Sequence, residues 1–339
     1  MDDQIVAIYC LCDDVLALSF PFPTEHDRMA QLFLGTRFRR AATAWPWLQS
    51  CLWRLEAGIL GAFWWWCSWL SPDQAVAFGQ GLLSRIGPHL AKHRQIKANL
   101  RIAFPEKDAA QLEVLARGIW GNLGAVLAEY PHLDAIIGDP TGQRLEVILK
   151  TDLTPYADGK KAAIFVNAHL GNWELPPALG KIWKIPLAVL YTPLQNPWLE
   201  RRLWRQRQRL GCELLPTAQS MKATVQRLTH GISMGFLVDQ RVDSGDWIPF
   251  FGREALTTSS PARLALKFGC PLIPLQVERL QGAHFRLTIH PPLTPEDTQA
   301  DPTTQARQLT RRLNALFEDW IWQHPQQWLC TKRRWPPEG

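Results

Sequence analysis

The sequence predicts an α/β domain with a central, mostly parallel sheet flanked by helices, preceded by a helical, membrane-associated N-terminal region. Three observations carry that reading. After Asp139-Pro140 short apolar runs alternate with helical stretches, the texture of a sheet covered on both faces. Two polar constellations follow directly on two of those runs, at Asn167 and at Asp239. Before the changeover the pattern is helical throughout and opens with a dense group of tryptophans.

The 339 residues suffice for one large domain and a smaller helical appendage. With 46% hydrophobic and 20% charged residues, disorder is not the expectation. A balance of 37 basic against 31 acidic residues gives a net charge of +6, which favours an anionic partner: nucleic acid, a phospholipid surface or an acidic protein. Charge does not choose among them. The 7 cysteines are scattered without a C-x-x-C pair, so they suggest neither a zinc site nor a disulfide framework, and a reduced, cytosol-facing body fits.

Taken in order, residues 1–46 read as a weakly structured extension. Asp2, Asp3, Asp13 and Asp14 interrupt its apolar runs and argue against a cleavable signal peptide, and Met29 offers an alternative translation start. Residues 47–70 read as a hydrophobic, Trp-rich helix. Of 17 tryptophans, Trp45, Trp47, Trp53, Trp64, Trp65, Trp66 and Trp69 gather here, and indoles suit the boundary between lipid and water. The stretch 57–70, apolar except for Ser68, falls short of the roughly 20 residues a full span needs, and extending it back to Trp47 brings in Arg54 and Glu56. A single span, an interfacial helix and a buried helix all remain open. Arg37, Arg39 and Arg40 would hold the preceding flank in the cytoplasm.

Residues 71–330 form the main domain. Leu112, Leu115, Ile119, Leu123 and Val126 repeat at helical spacing, and the segment 92–101 carries five basic residues that either face solvent or dock on anionic head groups. Strands are expected at 162–166, 186–191, 232–238, 272–277 and 285–289, and helices at 197–210, 219–230, 258–268 and 303–323. In such folds the chemistry collects beyond the carboxyl ends of the parallel strands.

The first constellation is His169-Leu170-Gly171-Asn172-Trp173-Glu174, entered directly from a buried strand. Residues five apart on one continuous helix point about 140° apart, so Gly171 is needed to turn the chain and bring Glu174 toward His169. Pro176 and Pro177 suit the first turn of a following helix. A histidine oriented by a carboxylate takes a proton from a hydroxyl near neutral pH. The plain alternative is a structural histidine near a glutamate.

The second constellation begins at Asp239-Gln240 and continues through Phe250-Phe251-Gly252-Arg253 to Thr257-Thr258, where a helix is expected to start. Asp239 suits an acceptor site, and the amides near Thr258 an anionic group; an N-capping threonine and a tight loop explain the same residues without a ligand. Between the two lies an arginine-dense stretch, Arg201, Arg202, Arg205, Arg207 and Arg209, otherwise readable as a solvated basic face.

At His169, Gly171, Asn172, Trp173 and Glu174 the sequence resembles the bacterial lipid A biosynthesis acyltransferases, lauroyl and myristoyl transferases whose motif runs H-x-G-N-W-E. The resemblance extends through Asn99-Leu100, Phe104-Pro105-Glu106, Asn122, Gly124 and Glu129, Tyr191 with Asn196-Pro197, Arg209 before Gly211, Asp239-Gln240, Phe250-Phe251-Gly252 and the strand ending at Arg279, covering roughly residues 75–330. It implies that His169 is the general base and Glu174 orients or charges it. It further implies that Asn172, Tyr191, Asn196, Arg209, Asp239, Gln240, Phe251, Gly252, Thr257 and Arg279 bind substrate. One departure is Thr192, where the family commonly places an arginine, which leaves the exact acceptor open.

The implied function is transfer of a fatty acyl chain from acyl carrier protein to a hydroxyl of a Kdo-bearing lipid A precursor at the cytoplasmic side of the inner membrane. It needs no metal or organic cofactor and takes an acidic protein donor and a phosphorylated glycolipid acceptor. Arg209, Arg279 or backbone amides are the candidate oxyanion donors. Competing readings are transfer to another lipid, such as glycerol phosphate, a lysophospholipid, an ornithine lipid or a glycolipid, and a non-catalytic membrane-binding protein. The F-P-E block precedes the histidine here, which counts against glycerol phosphate. The G-x-S-x-G run at Gly231-Ile232-Ser233-Met234-Gly235 falls at the start of an expected strand and not at a strand-to-helix turn, so it makes no nucleophile elbow, which counts against a serine hydrolase. The aromatic residues cluster with apolar neighbours, which counts against nucleic acid.

Overall fold

The structure, a computed structural model, describes residues 46–139, 141–217 and 220–336. The extension expected before Pro46, with Met29, Arg37, Arg39, Arg40 and Trp45, lies outside the described residues.

Five helices come first: α1 Pro46–Ser68, α2 Pro72–Ile86, α3 Lys92–Ala103, α4 Ala109–Glu129 and α5 Leu133–Ile137. Their starts follow local rules. Ser71 caps α2 and Asp108 caps α4, each completing a capping box with the glutamine three residues on. On α1, Ala57, Leu60, Trp64 and Cys67 are buried, and the Trp64 indole donates to the Leu127 carbonyl at 2.8 Å, fixing α1 to α4. Its other face leaves Leu55, Ile59, Trp65 and Trp66 exposed, with Trp69 exposed just beyond its end. Among the described residues no helix is long and apolar enough to cross a membrane, so the single span that the tryptophan-rich stretch left open is not formed by α1.

The sheet has seven strands in the order β1-β9-β8-β2-β5-β3-β4. Their ranges are β1 Leu145–Leu149, β2 Ile164–Asn167, β3 Leu187–Tyr191, β4 Glu213–Pro216, β5 Ser233–Leu237, β8 Leu272–Gln281 and β9 His284–Ile289. Strands β8, β2, β5, β3 and β4 run parallel, while β9 turns back antiparallel to β8 and carries β1 parallel to itself. The mostly parallel sheet is therefore as expected. The connecting helices are α6 Leu179–Ile182, α7 Pro197–Arg207, α8 Ser220–Thr229, α9 Ser260–Phe268 and α10 Pro302–Gln323. Strand β2 shows why the sheet is sealed on both sides: Ile164 and Val166 join one apolar cluster and Ala163 and Phe165 the other.

A separate hairpin, β6 Asp246–Phe250 and β7 Arg253–Thr257, occupies the second constellation. Phe250 pairs with Arg253, leaving Phe251 and Gly252 as a two-residue turn with φ of 51° and 69°, the left-handed pair that a tight hairpin requires. Phe251 tolerates that backbone because its ring packs against Phe104, Phe250, Trp328 and Trp335. Its part is thus to close the hairpin and fill an aromatic cluster, and Gly252 serves the same turn; neither presents the ligand loop expected of them. The helix expected from 258 begins at Ser260, because Thr257 still belongs to β7.

Candidate active site

The register of two neighbouring strands builds the site. Asn167 at the end of β2 lies opposite Leu237 at the end of β5, so two residues further along each chain His169 meets Asp239. The imidazole Nδ1 and Asp239 Oδ1 are 2.7 Å apart, and the His169 backbone N–H donates to the same oxygen at 3.1 Å. The other oxygen, Oδ2, accepts from the Trp328 indole at 3.0 Å. Asp239 is only 1% exposed. Burial pushes its carboxyl up, but the facing His169 and the hydrogen bonds from His169 and Trp328 outweigh that and hold it below the ordinary range. An acceptor-only carboxylate on Nδ1 fixes the tautomer that leaves Nε2 able to take a proton. The Gln240 carboxamide nitrogen lies 3.3 Å from Nε2, and the Trp173 ring flanks the imidazole with centroids 5.7 Å apart.

Glu174 is occupied elsewhere. Arg207 clamps it with a fork, Nε to Oε2 at 2.8 Å and Nη2 to Oε1 at 2.6 Å, and the Tyr130 hydroxyl donates to it as well. Burial raises the Glu174 carboxyl, and Arg207 more than offsets it, so the carboxyl is held down and the guanidinium well above its usual range. The expectation that Glu174 orients His169 is therefore corrected: that contact belongs to Asp239, and Glu174 acts on the imidazole through its field. Asp239, in turn, is a partner of the histidine rather than a lining of the acceptor site.

The turn between them is held from below. Gly171 has φ of 56° and is buried, and an added Cβ would come within 2.9 Å of the Val277 carbonyl, so only glycine is accommodated. Asn172 is fully buried: its Oδ1 accepts the Glu174 N–H at 3.0 Å and its Nδ2 donates to Glu129 at 2.8 Å. Arg279 is a buried partner of Glu129 and donates to Asn122 Oδ1 at 3.0 Å, and Asn122 Nδ2 donates to the Gly171 carbonyl at 2.9 Å. Asn172 and Arg279 thus position the turn, with four of the five Arg279 donors given to Asn122, Glu129 and the Gly282 carbonyl.

Two more of the expected binding residues are structural. Asn196 caps α7 through Trp198 N–H and Leu199 N–H and donates to the Trp53 carbonyl and to Glu56, tying α7 to α1. The Thr257 hydroxyl is buried between the Ala255 carbonyl and the Arg334 guanidinium. Arg209 is half-exposed and lies 3.6 Å from Asp134, and Arg207, two residues earlier, is the one in the site. Tyr191 stays near: its ring lies 5.9 Å from the Arg207 guanidinium carbon, and its hydroxyl bonds Glu200.

The sequence reading passed over Tyr130, Arg207 as Glu174's partner, and the tail 325–335. That tail returns beneath the site, where the Leu329 N–H donates to the His169 carbonyl at 2.9 Å and Trp328 holds Asp239. Its Trp-rich, basic composition was the available signal.

A buried carboxylate holding a histidine at the carboxyl end of a parallel sheet is the arrangement a general-base enzyme requires. The particular chemistry follows from the family: the model of the bacterial lipid A biosynthesis acyltransferases matches residues 51–336, and the chain belongs to that family. It is a lipid acyltransferase. Similar to it is a phosphatidylinositol mannoside acyltransferase of Mycolicibacterium smegmatis, 24% identical over 271 residues, spanning 76% of this chain and 86% of that one. Among solved structures, the 1-acyl-sn-glycerophosphate (LPA) acyltransferase PlsC from Thermotoga maritima aligns over 72% of this chain and 98% of its own, at 13% identity and a TM-score of 0.34.

Proposed function

We propose that the protein transfers a fatty acyl chain from the thioester of acyl carrier protein to a hydroxyl of a phosphorylated glycolipid, with a Kdo-bearing lipid A precursor as the first candidate acceptor. The observation that carries the mechanism is the His169–Asp239 contact of 2.7 Å, in which Nδ1–H donates to a buried carboxylate. Nε2 takes the proton as the acceptor oxygen attacks the thioester carbonyl. The new C–O bond forms, the C–S bond breaks, and the imidazolium returns its proton to the departing thiolate. Asp239 stabilises the imidazolium between these steps. Glu174, bound to Arg207, contributes fixed negative charge nearby.

A second acceptor, a mannosylated phosphatidylinositol, is favoured by the mycobacterial relative and by Thr192 standing where the family commonly has an arginine. The exposed face of α1, with Trp65 and Trp66 and with Trp69 just beyond its end, supports a place in the interface of the inner membrane on its cytoplasmic side, and the net charge of +6 suits both an acidic carrier and an anionic lipid. The test is transfer of labelled acyl groups from acyl carrier protein, in detergent, to each acceptor offered separately. Wild type is expected to acylate one of them and His169→Ala neither. Undiminished transfer by folded His169→Ala overturns the mechanism, and wild-type preference for the mannosylated lipid moves the assignment to the second acceptor.

A further inference from the structure

A groove of about 770 Å³ opens between α2, α4, the β8–β9 turn and the segment at Gln326–Gln327, a size that suits a small-molecule headgroup. His169, Trp173, Asp239 and Gln240 are not among its walls. Its floor holds Asn122, Arg279 and Gln327, the side chains that fix the Gly171 turn. Above them stand two guanidinium groups, Arg85 and Arg117, three carboxamides, Gln80, Gln281 and Gln326, and the Ser84 hydroxyl. No carboxylate lines it.

Each rim arginine has donors in reserve. Arg85 gives one N–H to the Gly81 carbonyl at 2.7 Å, and Arg117 gives its Nε–H to Glu113 at 3.0 Å, out of five donors on each guanidinium. Gly81 and Gly118 on the two facing helices make room for the Arg85 guanidinium and the Gln326 side chain, seating both at the groove wall. Guanidinium groups recognise phosphate, and carboxamides and a hydroxyl recognise the alternating donors and acceptors of a polyol. On α2, Phe78 and Ile86 are exposed beside this wall, and Phe78 stacks on Phe63 and lies near Trp66 of α1, so the groove adjoins the apolar face of the molecule.

We propose that this groove binds the phosphate ester of a hydroxyl-rich headgroup, carried on a lipid whose chains lie against the α1–α2 face. It is a site separate from the reacting groups and goes beyond the acyl-transfer reading; its test reads binding alone, so it stands or falls independently of the acceptor assignment.

The experiment compares wild type with Arg85→Gln/Arg117→Gln, two surface changes outside the catalytic machinery. Sedimentation with phosphatidylcholine vesicles is measured with and without phosphatidylinositol, and soluble inositol phosphate is titrated in parallel by calorimetry. Phosphatidylinositol is expected to increase wild-type binding, and the double variant to lose that increment by on the order of tenfold, the scale of losing one charge-assisted hydrogen bond. Equal binding of both proteins to phosphatidylcholine alone shows that the variant is folded and its apolar face intact. Inositol phosphate binding as tightly as the vesicles, and lost in the variant, keeps the site and assigns it to the free ester. Absence of any gain from phosphatidylinositol together with no heat from inositol phosphate, or an equal gain in the variant, overturns the proposal.

Discussion

Asp239 and Glu174 are both buried carboxylates in the field of His169, yet one is built for the histidine and the other for an arginine. Asp239 gives one oxygen to the imidazole and the other to an indole. Glu174 gives both oxygens to a permanently charged fork. The first arrangement leaves a carboxylate able to respond when the imidazole gains a proton. In the second, the charge is paired with Arg207 and reaches the imidazole only as a field, and its main worth lies in holding Arg207 and the Gly171 turn in place. A spacing of five residues in the motif names the residues of a site without naming their partners.

The comparison breaks most visibly at Asp239. Replacing it by asparagine preserves shape while permitting the wrong imidazole tautomer, so kcat is expected to fall by about 10³–10⁴-fold, with the protein still folded by circular dichroism. Glu174→Gln is expected to cost less in kcat per folded molecule. Equal losses in the two variants would return the orienting role to Glu174.

Stability reverses the order. Glu174→Gln strands the Arg207 guanidinium against a neutral amide, and breaking such a buried pair costs about 3–5 kcal/mol; Arg207 keeps 21% of its side chain exposed, which favours the lower end. Removing both charges, as Glu174→Leu with Arg207→Met, is expected to cost less than Glu174→Gln alone in urea unfolding. The pH dependence has a definite sign. Folding lowers the Glu174 carboxyl below its ordinary value of 4.5, so its contribution is present above that value and lost as the pH falls through the folded value. Wild type should lose stability below that point, and the Gln variant should lose less. A parallel decline in both would show that the pair contributes nothing to acid stability.

Much of the architecture was legible because it rests on local pattern. The five expected strands appear within a few residues of their places, since buried parallel strands read as plain apolar runs. Strands β1, β4 and the β6–β7 hairpin do not read as plain apolar runs, because exposed residues such as Glu146, Glu213 and Trp247 interrupt them. In the site, His169, Glu174, Asp239 and Gln240 were all singled out, and what failed was the pairing. The 2.7 Å contact of His169 with Asp239 depends on the alignment of β2 with β5, a non-local fact that no motif spacing encodes. Asn172, Arg279 and Asn196 carry polar groups that suit a substrate equally well, and only their burial shows them spent on Glu129, Asn122 and the end of α7.

Asn196 gives a prediction of middle size. Its Oδ1 caps α7 while its Nδ2 reaches the Trp53 carbonyl and Glu56 on α1, so Asn196→Ala removes a cap worth about 1 kcal/mol together with a tie between helices. The expected loss is about 1–2 kcal/mol in urea unfolding, with KM for either acceptor unchanged. A raised KM with stability intact would restore Asn196 to the binding site.

The smallest effect separates Arg209 from Arg207, two arginines two residues apart in a stretch where the sequence offers five. Arg209 and Asp134 are both about half-exposed and 3.6 Å apart, and an ion pair so placed is worth little because water screens it and two flexible side chains must be held still. Arg209→Ala should therefore leave unfolding free energy within about 0.5 kcal/mol of wild type and leave kcat and KM unchanged. The site makes the opposite demand at Arg207, where loss of the fork leaves Glu174 charged and buried without a partner. A large activity loss at Arg209 with little change at Arg207 would mean that the α7 end adopts another arrangement when substrate is bound, with Arg209 turned inward to the phosphate and Glu174 released toward His169.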